Sequence, residues 1–231
     1  MNQEQILKQL KGGLIVSCQA LSHEPLHSSF IMSRMAYAAM EGGASGIRAN
    51  STEDIRAIRE TVSLPIIGLI KKDYPDSGVY ITPTEEEVAQ LVEVGAHIIA
   101  TDFTDRIRPG GKTREEFFAP IRMKYPDTLF MADCATLGDA LAAQAAGFDL
   151  AGTTLCGYTP GTQGTALPAF SLMESMVREL SIPIIAEGGI WTPEQLRQAL
   201  DTGVFAAVVG TAITRPQEIT KRFAAQIYSN N

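Results

Sequence analysis

The sequence predicts an α/β fold, a single (βα)8 TIM barrel over residues 1–231, and three observations predict it. A glycine leading into a short apolar run recurs at Gly43, Gly95, Gly147 and Gly203, 52, 52 and 56 residues apart. A second set of apolar runs interleaves with the first, at Leu14-Ile15-Val16, Leu64-Pro65-Ile66-Ile67, Thr128-Leu129-Phe130-Met131 and Ile182-Pro183-Ile184-Ile185. Helix-start signals fall between these runs. Eight continuous apolar runs without period-two alternation read as strands buried on both faces. A doubly wound open sheet would also alternate strand and helix, but open sheets seldom repeat so evenly.

Taken in order, Ile6 and Leu7 with Lys8–Leu10 read as a short helix plugging the N-terminal end of the barrel. Ser51-x-x-Asp54 reads as a helix cap, and Thr82-Pro83-Thr84-Glu85 as a capping box with proline at the first helical position. Thr136-x-x-Asp139 is a weaker version, and Thr192-Pro193-Glu194-Gln195 is a second full box. Each of the four repeated glycines stands where a helix must end through a left-handed residue before the chain re-enters a strand.

Composition narrows the function. The hydrophobic fraction is 45% and the charged fraction 19%, which suits a folded domain and not a disordered one. A net charge of −7 argues against wrapping nucleic acid, so an anionic substrate must be held by local groups. Cys18, Cys134 and Cys156 are odd in number and form no Cys-x-x-Cys pair, so neither a disulfide framework nor a zinc site is expected. Three histidines, His23, His27 and His97, are too scattered for most metal cages, and no metal is expected. The polar start Met1–Gln5 carries no export signal, and no apolar run approaches membrane-spanning length. A soluble protein of a reducing, cytoplasmic compartment is expected, with no membrane partner.

In such barrels chemistry gathers at the C-terminal ends of the strands, where eight loops converge over one mouth. The residues reached at the ends of the apolar runs are Gln19, Arg48, Lys71, Asp102, Asp133, Thr153, Glu187 and Gly210. Strand ends turn polar as they meet solvent, which accounts for any one of them. It accounts less well for an Arg, a Lys, an Asp and a Glu converging on a partly dry mouth, so a shared site is the stronger reading. Lys71 closes the apolar run Ile66–Ile70, and Arg48 is its neighbour in the barrel. Desolvation and like charge both lower an amine pKa and make a neutral base available. Lys72 should point the other way, into solvent.

Glu187-Gly188-Gly189-Ile190 follows the seventh strand, and Gly210-Thr211 with Arg215 follows the eighth. Small residues there free backbone N–H groups, and these two loops are the habitual phosphate cup of the fold. Ordinary glycine turns are the plainer alternative, with Arg215 a surface charge. Two other signals lead nowhere. Gly111-Lys112-Thr113 lacks the first glycine of a phosphate loop, because Arg106 stands there, and no Gly-x-Gly-x-x-Gly follows a strand, so no dinucleotide cofactor is expected. His23 and His27 read as solvated loop residues and most methionines as core filler.

Several segments together resemble the bacterial N-acetylmannosamine-6-phosphate 2-epimerase family. They are Gly13–Ala20 with Glu24-Pro25-Leu26, Gly46–Asn50, Ile67–Tyr74, Val79–Thr84, Asp102-x-Thr104-x-Arg106-x-Arg108-Pro109, Met131-Ala132-Asp133, Gly152–Leu155 with Gly157–Pro160, and Ile185–Gly188. The resemblance covers nearly the whole chain. It implies a cofactor-independent barrel of the ribulose-phosphate-binding type that interconverts N-acetyl-D-mannosamine 6-phosphate and N-acetyl-D-glucosamine 6-phosphate by inversion at C2, in catabolism of sialic acid and related amino sugars. It implies proton removal and return by Lys71 with Glu187 as the partner carboxyl. It places Gln19, Arg48 and Asp133 at sugar-binding positions, and Gly188, Gly189, Gly210, Thr211 and Arg215 in the phosphate region. Thr153, at its own strand end, joins the substrate-binding set. A homodimer is expected because relatives form one. Two residues depart from the family pattern, Gly189 where a larger polar side chain is common and Cys134 where Ile is frequent. Chemically, C2 gains acidity only once the ring opens, and the resulting enediolate oxyanion needs a fixed donor such as Arg48. Competing readings are a lyase in which Lys71 forms a Schiff base, a metal-assisted pentulose-phosphate epimerase, and a non-catalytic phosphosugar-binding barrel.

Overall fold

The computed structural model describes residues 1–228 and forms a closed, all-parallel barrel. Its strands are β1 (Leu14–Cys18), β2 (Gly46–Asn50), β3 (Ile66–Leu69), β4 (Ile98–Asp102), β5 (Leu129–Asp133), β6 (Leu150–Gly152), β7 (Ile184–Ala186) and β8 (Ala206–Val209). Each pairs with the next, and Leu14–Val16 pairs with Ala207–Val209 to close the ring. All eight apolar runs became strands. The open-sheet alternative is thereby excluded, since β1 and β8 share a ladder.

Helices α1 (Gln3–Leu10), α2 (Ser29–Glu41), α3 (Thr52–Arg59), α4 (Glu85–Glu93), α5 (Arg114–Lys124), α6 (Leu137–Ala146), α7 (Phe170–Glu179), α8 (Pro193–Asp201), α9 (Thr211–Thr214) and α10 (Pro216–Tyr228) surround the strands. Among the described residues no helix is long and apolar enough to cross a membrane. The four repeated glycines end helices as expected, with φ of +94°, +75°, +88° and +93° at Gly43, Gly95, Gly147 and Gly203. Thr136 with Asp139 and Thr192 with Gln195 form reciprocal capping boxes, and Ser51 accepts the N–H of Asp54. The box expected at Thr82 lies two residues later. Thr84 caps α4 and Glu87 reaches back to the Thr84 N–H at 2.8 Å. Thr82 is unavailable because its hydroxyl donates to the Ala100 carbonyl at 2.7 Å and its own N–H to Ile70. Gly111-Lys112-Thr113 has a structural use: Thr113 caps α5.

Two apolar layers hold the barrel. The outer one lies between strands and helices and contains Phe103, Phe118, Phe130 and Phe148, with the Phe118 and Phe148 rings stacked 3.7 Å apart. The inner one fills the barrel itself, with Ile15, Ile67, Ile98, Leu129, Leu150, Ile185 and Ala206 meeting Ile6 and Leu10 of α1. The short N-terminal helix is therefore the expected plug. Gly46 makes room for it, because a Cβ there would lie 2.5 Å from Leu10 Cδ2.

Candidate active site

Alternate residues of a barrel strand face the axis, so the inner core determines which residues come next above it. Continuing that parity upward gives Ser17 and Gln19, Arg48 and Asn50, Lys71, Asp102, Asp133, Thr154, Glu187 and Gly210. Most of these residues line, or tie directly to, a cavity of about 710 Å³ at the C-terminal mouth. That is ample for a phosphorylated hexose.

Arg48 sits at the floor, only 1% exposed. Its Nη1 and Nη2 donate to Asp133 Oδ1 and Oδ2 at 3.1 and 2.6 Å, and Nη1 lies 3.3 Å from Glu187 Oε2. Burial works against the guanidinium's charge, but Asp133 and Glu187 outweigh it and hold Arg48 more firmly protonated than usual. Its Nε is buried without a partner among the described residues, a donor left over at the cavity. Asp133 itself is fully buried and acts through Arg48 and Thr154 without lining the cavity.

Burial pushes the Glu187 carboxyl above its ordinary value and Asp133 adds to that, while Arg48 and Lys71 oppose it. A buried acid surrounded in this way keeps its proton at a higher pH than a solvated one. Gln19 lines the same cavity, its Nε2 donating to Ser17 Oγ at 2.9 Å and its Oε1 buried without a partner among the described residues. It is an acceptor held ready for a ligand donor.

Lys71 stands beyond the end of β3, on a strap from Ile70 to Thr82 that leaves the barrel and returns to it. An isolated antiparallel bridge joins Lys71 to Ile81, flanked by Lys72 N–H to Tyr80 O at 3.0 Å and Thr82 N–H to Ile70 O at 2.7 Å. The Lys71 N–H also donates to Asn50 Oδ1 at 2.7 Å. The half-buried side chain enters the cavity, and its amine makes no hydrogen bond or ion pair with any described residue. Burial lowers its pKa to about 8, with Arg215 and Arg48 adding like charge against Glu187 and Glu24. Lys72 points away as expected, although it is paired with Glu87 at 3.0 Å and not merely solvated.

Asp102 does not join the mouth. Its carboxylate is held by the Thr104 N–H and hydroxyl and by Arg106, whose other arm donates to the Gly78 carbonyl at 2.7 Å. Buried Arg108 donates to the carbonyls of Pro83, Thr82 and Asp102 and lies 3.5 Å over the Phe117 ring. This cluster fastens the strap that carries Lys71.

Opposite Lys71, the N–H groups of Gly188, Gly189, Gly210 and Thr211 donate to no group among the described residues. All four residues and Arg215 line the cavity. Converging free N–H groups with an arginine make an anion cup. Gly189 has φ +72°, and a Cβ there would lie 2.4 Å from that of Leu167. That close approach accounts for glycine where a larger residue was expected. Arg215 is paired with Glu24 of the β1–α2 loop, Nε to Oε1 at 3.1 Å. Cys134, the other departure, is fully buried in the outer core and outside the cavity.

Thr153 is not in the cavity. Its hydroxyl donates to the Glu187 carbonyl at 2.8 Å and accepts from the Glu187 N–H at 3.0 Å, which fixes the backbone of the loop. Thr154 takes the inward position, 2.7 Å from Asp133 Oδ1 and 3.1 Å from Glu187 Oε2. Strand parity was the signal for it. Asn50 and Tyr80 also line the cavity and were missed. His23 and His27 are exposed, as expected of loop residues, but stand on the cavity rim.

Residues 32–229 match a family model described as "Putative N-acetylmannosamine-6-phosphate epimerase". A protein of Enterobacter sp. (strain 638) named "Putative N-acetylmannosamine-6-phosphate 2-epimerase" is 55% identical over 98% of this chain and 97% of its own. One of the same name from Caldanaerobacter subterraneus is 53% identical over 99% and 98%. The structure of N-acetylmannosamine-6-phosphate 2-epimerase from Clostridium perfringens superposes with a TM-score of 0.93 at 50% identity, covering 98% of both chains. A thiamine phosphate pyrophosphorylase from Pyrococcus furiosus shares the fold at a TM-score of 0.63 and 18% identity.

Proposed function

Because the chain belongs to the N-acetylmannosamine-6-phosphate 2-epimerase family, we propose that it converts N-acetyl-D-mannosamine 6-phosphate to N-acetyl-D-glucosamine 6-phosphate, with Lys71 moving the proton at C2. The observation that carries the assignment of Lys71 is its unpaired amine of lowered pKa, in one cavity with Arg48, Glu187 and the free N–H cup.

The closed sugar has no carbonyl, so the ring opens first. The C1 aldehyde then acidifies the C2 hydrogen, and neutral Lys71 takes it. C2 bears nitrogen, so the intermediate is an enolate with one charged oxygen, not an enediolate. Arg48, immobilised by Asp133, is oriented to hold that oxygen without reorganising. Return of a proton to the opposite face inverts C2, and Glu187 is the acid that faces Arg48 and Lys71. Gln19 orients the open chain. The cup at Gly188, Gly189, Gly210 and Thr211, with Arg215, tethers the 6-phosphate so that proton transfer becomes effectively intramolecular. Both proton transfers at C2 are thus assigned to residues of this chain. No relative reported above favours the Schiff-base lyase, the metal-assisted pentulose-phosphate epimerase or the non-catalytic binder.

Turnover in deuterium oxide tests the proposal. Product should carry deuterium at C2, and Lys71→Ala should abolish the label while still binding ligand. Normal turnover by that variant would remove Lys71 from the mechanism. A cytoplasmic homodimer is part of the proposal on the family resemblance alone; sedimentation of the purified protein as a monomer would correct it.

A further inference from the structure

Four side chains form a closed ring at the cavity floor: Arg48, Asp133, Thr154 and Glu187. Nothing so far gives Thr154 a part in the reaction. We infer that Thr154 is a positioning residue for the Glu187 proton, its hydroxyl hydrogen going to Asp133 Oδ1 while its lone pair receives the hydrogen on Glu187 Oε2.

Proton counting leads there. A threonine hydroxyl has one hydrogen to donate and lone pairs to accept with. Thr154 Oγ1 lies within hydrogen-bond distance of two carboxyl oxygens, 2.7 Å from Asp133 and 3.1 Å from Glu187. If both acids were ionised, one contact would set an oxygen lone pair against a carboxylate. The shorter distance marks Asp133 as the acceptor, as befits an ionised group. Arg48 discriminates the same way, at 2.6 Å from Asp133 and 3.3 Å from Glu187. The remaining Thr154–Glu187 contact is satisfied only when Glu187 carries the hydrogen.

The arrangement has a chemical consequence, which rests on the proposed roles of Lys71 and Glu187. The charged groups facing Glu187 are Arg48 from β2, Lys71 from the strap and Asp133 from β5. With Glu187 neutral, Arg48 and Asp133 cancel each other, and Lys71 can stand neutral without stranding a buried negative charge. Were Glu187 ionised, the excess negative charge would hold Lys71 protonated and unable to accept the C2 hydrogen. Thr154 therefore biases the site toward the protonation state in which the base is ready.

The test is a direct titration of Glu187 in the whole enzyme, carbon-13 labelled at the glutamate carboxyls, with Glu187→Gln identifying its resonance. Thr154→Val keeps the shape and removes the acceptor, so the Glu187 midpoint should fall by roughly half to one pH unit. Thr154→Ser keeps the hydroxyl and should leave the midpoint within a few tenths of wild type. A midpoint that rises in Thr154→Val would mean that the hydroxyl donates to an ionised Glu187, and that result, or no change, overturns the inference. If Thr154→Val does not fold, Thr154→Ala is read in the same way, and Thr154→Ser shifting downward would also overturn it. Failure of the proposed function looks different: C2 exchange would survive Lys71→Ala whatever the Glu187 midpoint does.

Discussion

Replacing Lys71 by methionine should stabilise the protein at neutral pH while abolishing turnover. Lys71 has a folded-state pKa of about 8 against an ordinary value of 10.5. A base with a depressed folded-state pKa binds protons less readily in the native than in the unfolded state, so stability rises with pH between the two values. Below about pH 8 both states are protonated and the full penalty is present. The difference between 8 and 10.5 corresponds to about 3 kcal/mol. The side chain keeps some contact with solvent, which reduces the expected cost to about 2 kcal/mol. For a chain of this size that is a rise in Tm of about 4–8 °C. Melting curves of Lys71→Met and wild type at pH 7 and pH 10 are the assay. The advantage should shrink at pH 10 to about a quarter of its neutral value. A variant no more stable than wild type at pH 7, or equally advantaged at both pH values, would refute a desolvated amine at position 71.

Three further outcomes are expected. The pH dependence of kcat/KM should rise through about pH 8 as Lys71 loses its proton; a plateau reached by pH 6 would exclude that group as the base. Arg48→Lys cannot reproduce the paired contacts to Asp133, so kcat should fall by at least about 100-fold, with about 3 kcal/mol of stability lost in denaturant melts. Wild-type-like kcat would show that the fork is dispensable. Gly189→Ala forces a side chain onto Leu167 at positive φ, and should cost about 1–3 kcal/mol and raise KM for the phosphorylated sugar. Unchanged KM and Tm would mean that the loop yields freely.

Much of this site could be read in the sequence because a barrel turns order into position. The apolar runs located the strands, and the residues above them included Arg48, Lys71, Asp133 and Glu187. What failed was the step from "next residue" to "inward residue". Thr153 and Thr154 are adjacent, yet alternation sends only Thr154 inward, and Asp149–Gly152 is too short and too mixed to announce its own phase. Asp102 has the right parity but is captured by Arg106, which comes from the loop after β4. No local pattern reports a partner that folds back from a loop. The same limit hid Tyr80, which the strap brings in, whereas Asn50 has the inward parity of Arg48 at the end of β2 and was legible from alternation.

The strap between Ile70 and Thr82 carries the proposed base outside the strand that leads to it. Frame and reagent are consequently separate parts: the staves can stay as they are while an altered clasp at Asp102, Arg106 or Arg108 re-aims one amine across a pre-existing bowl. Changes of handedness or of the attacked carbon could begin at those distant fastenings, leaving untouched every group that grips the sugar.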